Sequence, residues 1–269
     1  MTSNPSLSAN AALGVGRIVS ESFSILFRNI LAVMILGFIP SLIGLLISVF
    51  MNGAELTLGI GSADPFAAGD PFAGPSISGI VISTVLQLAI QGITIALLVQ
   101  MAYDAKLGNP VTPGKYISPA IKAVVPIAVL SLVIGILAGI GFLLLIIPGL
   151  IIYAMYSVTT PAIMIEGVGF GGMSRSAQLT KEYRWPIIGA LVLLGICTII
   201  IGMIVGFVVG IIVPIFGTGT VGIAIGILLF AALNAFIYGL SGIGSALIYA
   251  RLREIKEGIG IDKLAAVFD

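Results

Sequence analysis

The stretch Ile187–Val213, IIGALVLLGICTIIIGMIVGFVVGIIV, decides the fold class because it contains no charged residue. A membrane-spanning helix needs about 20 predominantly apolar residues, since the hydrocarbon core is about 30 Å thick and an α-helix rises about 1.5 Å per residue. The rest of the chain has the same character: 59% of its 269 residues are hydrophobic and 9% are charged, whereas soluble domains carry about 25% charged residues. The sequence therefore predicts an all-α membrane protein.

Six such apolar stretches are predicted to be transmembrane helices, arranged as three hairpins. The pair Pro148-Gly149 is interpreted as the turn between the third and fourth spans. The fourth span is short and contains Pro161, so it is expected either to cross fully or to re-enter the membrane. The predicted spans are residues 29–51, 77–103, 123–147, 150–165, 186–214 and 221–250.

The flanking segments complete the predicted organisation. Residues 1–12 are interpreted as a flexible N-terminus without a cleavable signal peptide, residues 13–250 as the six-helix transmembrane domain, and residues 251–269 as a charged C-terminal tail. Residues 13–27 place apolar side chains on one helical face, which predicts a short amphipathic helix at the cytoplasmic membrane surface. Polar or amphipathic stretches also precede the later hairpins.

The distribution of Lys and Arg predicts the orientation. All twelve of these residues fall in segments on one side of the predicted spans, and the three connections on the other side contain none. Cytoplasmic connections of membrane proteins carry the excess of positive charge. We therefore expect six spans with both termini in the cytoplasm.

Polar side chains follow one face of the second span at spacings of three and four: Thr84, Gln87, Gln91 and Thr94. They are interpreted either as a polar path or headgroup-binding stripe, or as ordinary hydrogen bonding between helices, which is the commoner use of such residues in lipid. No Asp, Glu, Lys or Arg lies deep in a predicted span, which disfavours ion-coupled transport.

Small residues recur at helix-contact spacing, either for close packing inside the chain or for a homo-oligomer interface. The main groups are Gly135 and Gly139; Gly202, Gly206 and Gly210; and Gly239, Gly242 and Gly244.

Enzymatic chemistry is not supported by the residue types present. The chain has no His and one Cys, Cys197, which removes His-based acid–base catalysis, His-ligated metals and an intramolecular disulfide. No phosphate-binding glycine motif with its lysine is present. We expect no catalytic residue, no cofactor, no metal and no nucleic-acid partner.

Two further groups of residues are candidates for contacts with lipids or partner proteins. Basic and aromatic residues at cytoplasmic boundaries are expected to contact inner-leaflet lipids: Arg28, Lys122, Arg184 and Trp185. Apolar residues of the tail form a candidate docking element for a partner, or alternatively one face of a simple surface helix: Leu252, Ile255, Leu264 and Phe268.

A family resemblance rests on short signatures spread over most of the chain. They are Ile147-Pro148-Gly149 with Tyr153, Pro161, Glu166, Arg175-Ser176, Leu179-Thr180, Arg184-Trp185, Tyr249, Arg253 and Lys256-Glu257-Gly258. In these the chain resembles bacterial integral-membrane proteins of the YciC-like group and the membrane domain of glycerophosphoryl diester phosphodiesterases. The resemblance implies the bacterial inner membrane, but the catalytic domain of the phosphodiesterases is missing here, so it implies no such activity.

The sequence thus favours a non-catalytic multi-pass membrane protein that acts as a scaffold, accessory subunit or lipid organiser, with membrane lipids and a membrane complex or second copy as partners. The alternative is a transporter or translocation path for lipids or small amphiphiles. That alternative predicts a cavity at membrane depth lined by the polar stripe of the second span.

Overall fold

The computed structural model describes residues 13–58, 77–216 and 219–258, and this part of the chain is helical apart from short connections. Six helical segments are long and apolar enough to cross a membrane, in agreement with the six predicted spans. The helices are α1 (Val15–Arg28), α2 (Ile30–Asn52), α3 (Ala54–Leu58), α4 (Ile77–Leu107), α5 (Pro113–Leu144), α6 (Ile146–Tyr156), α7 (Thr159–Glu166), α8 (Gly172–Thr180), α9 (Arg184–Ile215) and α10 (Thr220–Glu257).

Helix α10 lies at the centre of the bundle, where it packs against α1, α2, α4 and α9. Its direction relative to α2 follows from two close approaches, Gly239 against Val33 and Ala235 against Gly37. These pairs run in opposite senses along the two chains, so the two helices are antiparallel. The Lys and Arg residues of the described segments lie at one end of the bundle, which we call the basic end.

Glycine allows the close approach of α10 to its neighbours. A Cβ atom on Gly239 would lie 2.6 Å from Val33, and one on Gly244 would lie 2.5 Å from Leu194 of α9. The small residues of α10 therefore serve packing within the chain. A Cβ atom on Gly202 or Gly206 of α9 would meet nothing within 4 Å, so this second group faces away from the bundle.

The predicted amphipathic helix at residues 13–27 corresponds to α1. Its apolar face, with Ile18, Ile25 and Leu26, is buried, and the helix packs against α9 and α10. An ion pair between Glu21 and Lys106 links α1 to the end of α4. Helix α1 is thus an integral part of the bundle; its position relative to a lipid surface stays a prediction.

The turn between the third and fourth spans differs from the sequence prediction. The chain turns at Leu145, which has extended backbone angles, and Pro148 and Gly149 lie inside the first turns of α6. Proline is tolerated there because the first helical N–H groups have no partner within the helix. Gly149 is required where α6 approaches α5, since a Cβ atom on it would lie 2.8 Å from the backbone nitrogen of Phe142.

The fourth span is a broken helix. Helices α6 and α7 together cover Ile146–Glu166, and the break falls at Ser157 and Val158. Pro161 explains the position of the break, because it has no N–H to donate to the carbonyl of Ser157 four residues earlier. At 21 residues and about 1.5 Å per residue, the segment is long enough to cross the hydrocarbon core.

Candidate functional site

Helix α8 contacts a backbone carbonyl just before the break, that of Met155. Its oxygen accepts a hydrogen bond from the hydroxyl of Ser176 at 2.9 Å. The hydroxyl of Thr180 lies between this oxygen, at 3.0 Å, and the carbonyl of Ser176 in its own helix, at 2.8 Å. Ser176 and Thr180 are both fully buried. Irregular backbone at membrane depth is tolerated where protein groups satisfy it, and here α8 supplies those groups.

A charged network at the basic end holds α7, α8 and α10 together. The carboxylate of Glu166, the last residue of α7, accepts from Arg175 of α8 at 2.7 Å and from the hydroxyl of Tyr249 of α10 at 2.5 Å. Arg175 also pairs with Glu257, which accepts from Arg253 at 2.8 Å. Two guanidinium groups and two carboxylates balance one another, so the network is electrically neutral.

The network keeps its charges in a partly enclosed setting. The side chains of Glu166 and Arg175 are 17% and 25% exposed. The hydrogen bond with Glu166 is the main reason that the pKa of Arg175 lies above its ordinary value, so this guanidinium stays charged at every physiological pH. The guanidinium of Arg253 also lies over the ring of Tyr249, 5.8 Å from its centre.

A cavity of about 280 Å³ lies beside the break, among α4, α5, α6, α7, α9 and α10. It is partly enclosed, and nine of its eighteen lining residues are Gln, Ser, Thr or Tyr, whereas none is charged. Ser245 of α10 lies eight residues before Arg253, or about 12 Å along the helix at about 1.5 Å per residue. The cavity is therefore within the apolar length of the spans. The polar lining includes Gln91, Ser131, Tyr153, Thr159, Ser241 and Ser245.

The predicted stripe on the second span does not act as one surface. Gln91 lines the cavity, but Gln87 donates to the carbonyl of Gly44 in α2 at 3.2 Å. Thr94 is buried and donates to the carbonyl of Ile90 in its own helix; the side chain of Thr84 lies outside the described residues. Gln91 thus agrees with the cavity hypothesis, Gln87 makes the hydrogen bond between helices that was the alternative, and Thr94 bonds within its own helix.

The candidate docking residues of the tail fall into two parts. Leu252 is fully buried in the core of the chain, and Ile255 packs partly against it. Helix α10 continues to Glu257, beyond the predicted end of the sixth span. Leu252 is therefore a core residue with no surface for a partner, while Leu264 and Phe268 lie outside the described residues.

The predicted lipid-contact residues lie at the basic end. Trp185 is 67% exposed, and Lys122 and Arg28 are also exposed. Arg28 donates to the carbonyl of Ala105 at 3.2 Å. Arg184 is half-buried, and its Nε atom has no hydrogen-bond partner among the described residues.

Several residues on which the resemblance rests lie together in two places. Glu166, Arg175, Tyr249, Arg253 and Glu257 form the charged network at the basic end, and Ser176 and Thr180 contact the carbonyl of Met155 beside the break. Sequence reasoning missed the charged network because Glu166 and Tyr249 are 83 positions apart. A single charged residue at the end of a helix is also common and does not by itself indicate a network. A Glu at the end of one span and an Arg-rich end of another were the only available signals.

Comparisons with protein-family models, with curated proteins and with solved structures find no match to this chain. The fold and the composition by themselves define a class, that of multi-pass α-helical membrane proteins. The resemblance to the YciC-like group stays a prediction.

Proposed function

We propose that this chain is a non-catalytic protein of the bacterial inner membrane that acts by contact, as a lipid organiser, scaffold or accessory subunit. The observation that carries the proposal is the fixed basic end, where α1, α4, α7, α8 and α10 are tied by ion pairs while other cations remain exposed. Both termini are proposed to be cytoplasmic and the spans to pair as three hairpins. Anionic lipid headgroups are the partners that such a surface favours.

Lys122, Arg184 and Trp185 form the proposed lipid-contact set. Lys122 and Arg184 make no ion pair within residues 13–58, 77–216 and 219–258, so their charge is not offset inside the chain. Lys115 differs from them, because it pairs with Asp104 at 3.2 Å. An indole ring beside such cations suits the headgroup layer, since it is apolar with one polar edge.

The test uses native mass spectrometry of the full chain with phosphatidylglycerol and with phosphatidylcholine of the same acyl chains. A well-placed cation contributes about 1 kcal/mol, so the double variant Lys122→Gln/Arg184→Gln is expected to bind phosphatidylglycerol about thirtyfold more weakly. Lys115→Gln is the control and should change the preference little. Equal binding of the two lipids by the unaltered chain would reject the lipid part of the proposal, and a stoichiometric partner protein retained on gentle extraction would point to the scaffold or accessory role.

A second candidate function is a binding or translocation path for lipids or small amphiphiles. The observation that favours it is the polar cavity beside the broken fourth span. Many membrane transporters place their substrate site near the bilayer midplane at interrupted helices. Flipping of a fluorescent lipid by the chain in vesicles, measured by dithionite quenching, tests this function. A rate no higher than in protein-free vesicles would argue against translocation.

A further inference from the structure

Two buried hydroxyls of the described residues lack a hydrogen-bond partner, those of Ser41 and Thr159, and of the two only Thr159 lines the cavity. Thr159 is 3% exposed, and its Oγ1 atom has no hydrogen-bond partner in the described part of the chain. A buried polar group without a partner is destabilising. Other hydroxyls on the spans donate to a carbonyl of their own helix: Thr94 to Ile90 at 2.7 Å and Ser245 to Gly242 at 3.0 Å.

The break in the fourth span explains why Thr159 lacks such a bond. The carbonyl four residues earlier belongs to Met155, and it already accepts a hydrogen bond from Ser176 of α8 at 2.9 Å. The hydroxyl of Thr180 also lies against this carbonyl, at 3.0 Å, although its shorter contact is with the carbonyl of Ser176 at 2.8 Å. Thr159 lines the cavity, so its hydroxyl remains available to a molecule inside it.

The lining of the cavity defines the chemistry of that molecule. Cavities that stay empty in proteins are apolar, whereas nine of the eighteen residues that line this cavity carry a hydroxyl or amide group. None of the described residues that line the cavity is charged, and an unpaired charge inside a membrane bundle is expensive. Hydroxyl, amide and phenol groups both donate and accept hydrogen bonds, which suits an uncharged headgroup that carries several hydroxyls.

The size of the cavity indicates which part of a ligand it holds. At about 280 Å³ it lies at the low end of small-molecule pockets, which have volumes of about 300–1,000 Å³. It therefore accommodates a headgroup and not a whole lipid. The remaining lining is aliphatic, including Leu88, Ile134 and Leu191, and suits the first carbons of an alkyl chain.

We infer that this cavity is a binding site for the uncharged, hydroxyl-bearing headgroup of a single-chain amphiphile, with Thr159 as a hydrogen-bonding partner. The inference rests on the second candidate function for its physiological setting, but it concerns binding and not movement across the membrane.

The test uses the full chain in phosphatidylcholine nanodiscs and a monoacylglycerol with a photoactivatable diazirine near its ester. Saturable labelling of peptides from α5, α6 or α7, competed by unlabelled monoacylglycerol, is expected. Gly135→Leu should abolish it, because Gly135 lines the cavity and a Cβ atom there meets nothing within 4 Å. Gly139→Leu is the matched control, since Gly139 is one turn away on α5, equally unobstructed and not part of the lining.

Thr159→Val separates a binding role from a structural one. Removing one hydrogen bond to the ligand is expected to weaken competition by about tenfold. The same change should raise the Tm of the empty protein, because it removes a buried group without a partner. Thr94→Val is the control: Thr94 is buried but bonded within α4, so its loss should leave the affinity unchanged.

Three results would overturn the inference. Labelling that does not saturate, or that is the same in Gly135→Leu, would mean that the cavity holds only water and that the probe samples bulk lipid. Equal competition by the corresponding monoacyl phosphate would refute the choice of an uncharged headgroup. An unchanged affinity in Thr159→Val would remove the proposed role of Thr159. If labelling is saturable but the chain does not flip lipid in vesicles, translocation is rejected and the binding site is supported.

Discussion

The charged network gives a sharp prediction for Glu166→Gln. Glutamine keeps the shape of the side chain but removes its negative charge and one of the two oxygens that accept from Arg175, at 2.7 Å, and from the hydroxyl of Tyr249. Arg175 and Arg253 are then opposed by Glu257 alone. We expect the free energy of unfolding to fall and α8 to loosen from the end of α7.

The magnitude follows from the exposure of the pair. Removing one partner of a buried ion pair costs about 3–5 kcal/mol, and exposed pairs contribute about 0–1 kcal/mol. Glu166 and Arg175 lie between these limits, at 17% and 25% exposed. A hydrogen bond to a charged group contributes about 1.5–3 kcal/mol, so a loss of about 2–3 kcal/mol is expected for Glu166→Gln.

The assay is unfolding by sodium dodecyl sulfate in mixed micelles, followed by circular dichroism. Tyr249→Phe alone should cost about 1.5–3 kcal/mol, since its hydroxyl bonds to a charged group. The double variant should lose less than the sum, because both changes act on the same hydrogen bond. Glu254→Gln is the control, since Glu254 is 49% exposed in its pair with Arg251. Strict additivity, or an effect of Glu166→Gln no larger than the control, would refute the network as a stabilising unit.

Two further predictions concern packing and orientation. Gly37→Ala should lower the free energy of unfolding by about 1–3 kcal/mol, because the new Cβ atom would lie 2.9 Å from the backbone of α10. In the control Gly206→Ala the new Cβ atom meets nothing within 4 Å, so this change should be neutral or stabilising by up to about 1 kcal/mol. Thermal unfolding of the two variants measures the difference. The orientation is tested with single cysteines in a Cys197→Ala background, using a membrane-impermeant maleimide added to intact cells. Asn109→Cys, in the α4–α5 connection, should not be labelled, whereas Ala54→Cys should be labelled. Labelling in the opposite pattern would reverse the proposed topology.

The spans were predictable because an apolar stretch of about 20 residues has few alternatives to crossing a membrane. The end of the third span was harder to predict, because Pro148-Gly149 is a turn signal and yet the chain turns at Leu145. A proline also fits the first turn of a helix, and only the contact between Gly149 and Phe142 distinguishes the two uses.

The site could be predicted only in part. Periodicity placed Gln87 and Gln91 on one helical face, but it could not show that one bonds to α2 and the other lines the cavity. The role of Thr159 depends on α8, whose Ser176 hydroxyl already bonds to the carbonyl of Met155. Such competition for a single acceptor is a property of tertiary structure and leaves no periodic trace in the sequence.

The central position of α10 has a consequence for biogenesis. Helices α1, α2, α4 and α9 all pack on α10, and all of them precede it in the chain. During synthesis these helices are made before their common partner exists, so the groove that α10 fills must first be occupied by lipid, by the insertion machinery or by looser contacts among the early helices. The packing of these helices around α10 is thus completed in one late assembly step. A ribosome that stalls before residue 220 would leave five spans without the helix on which they pack.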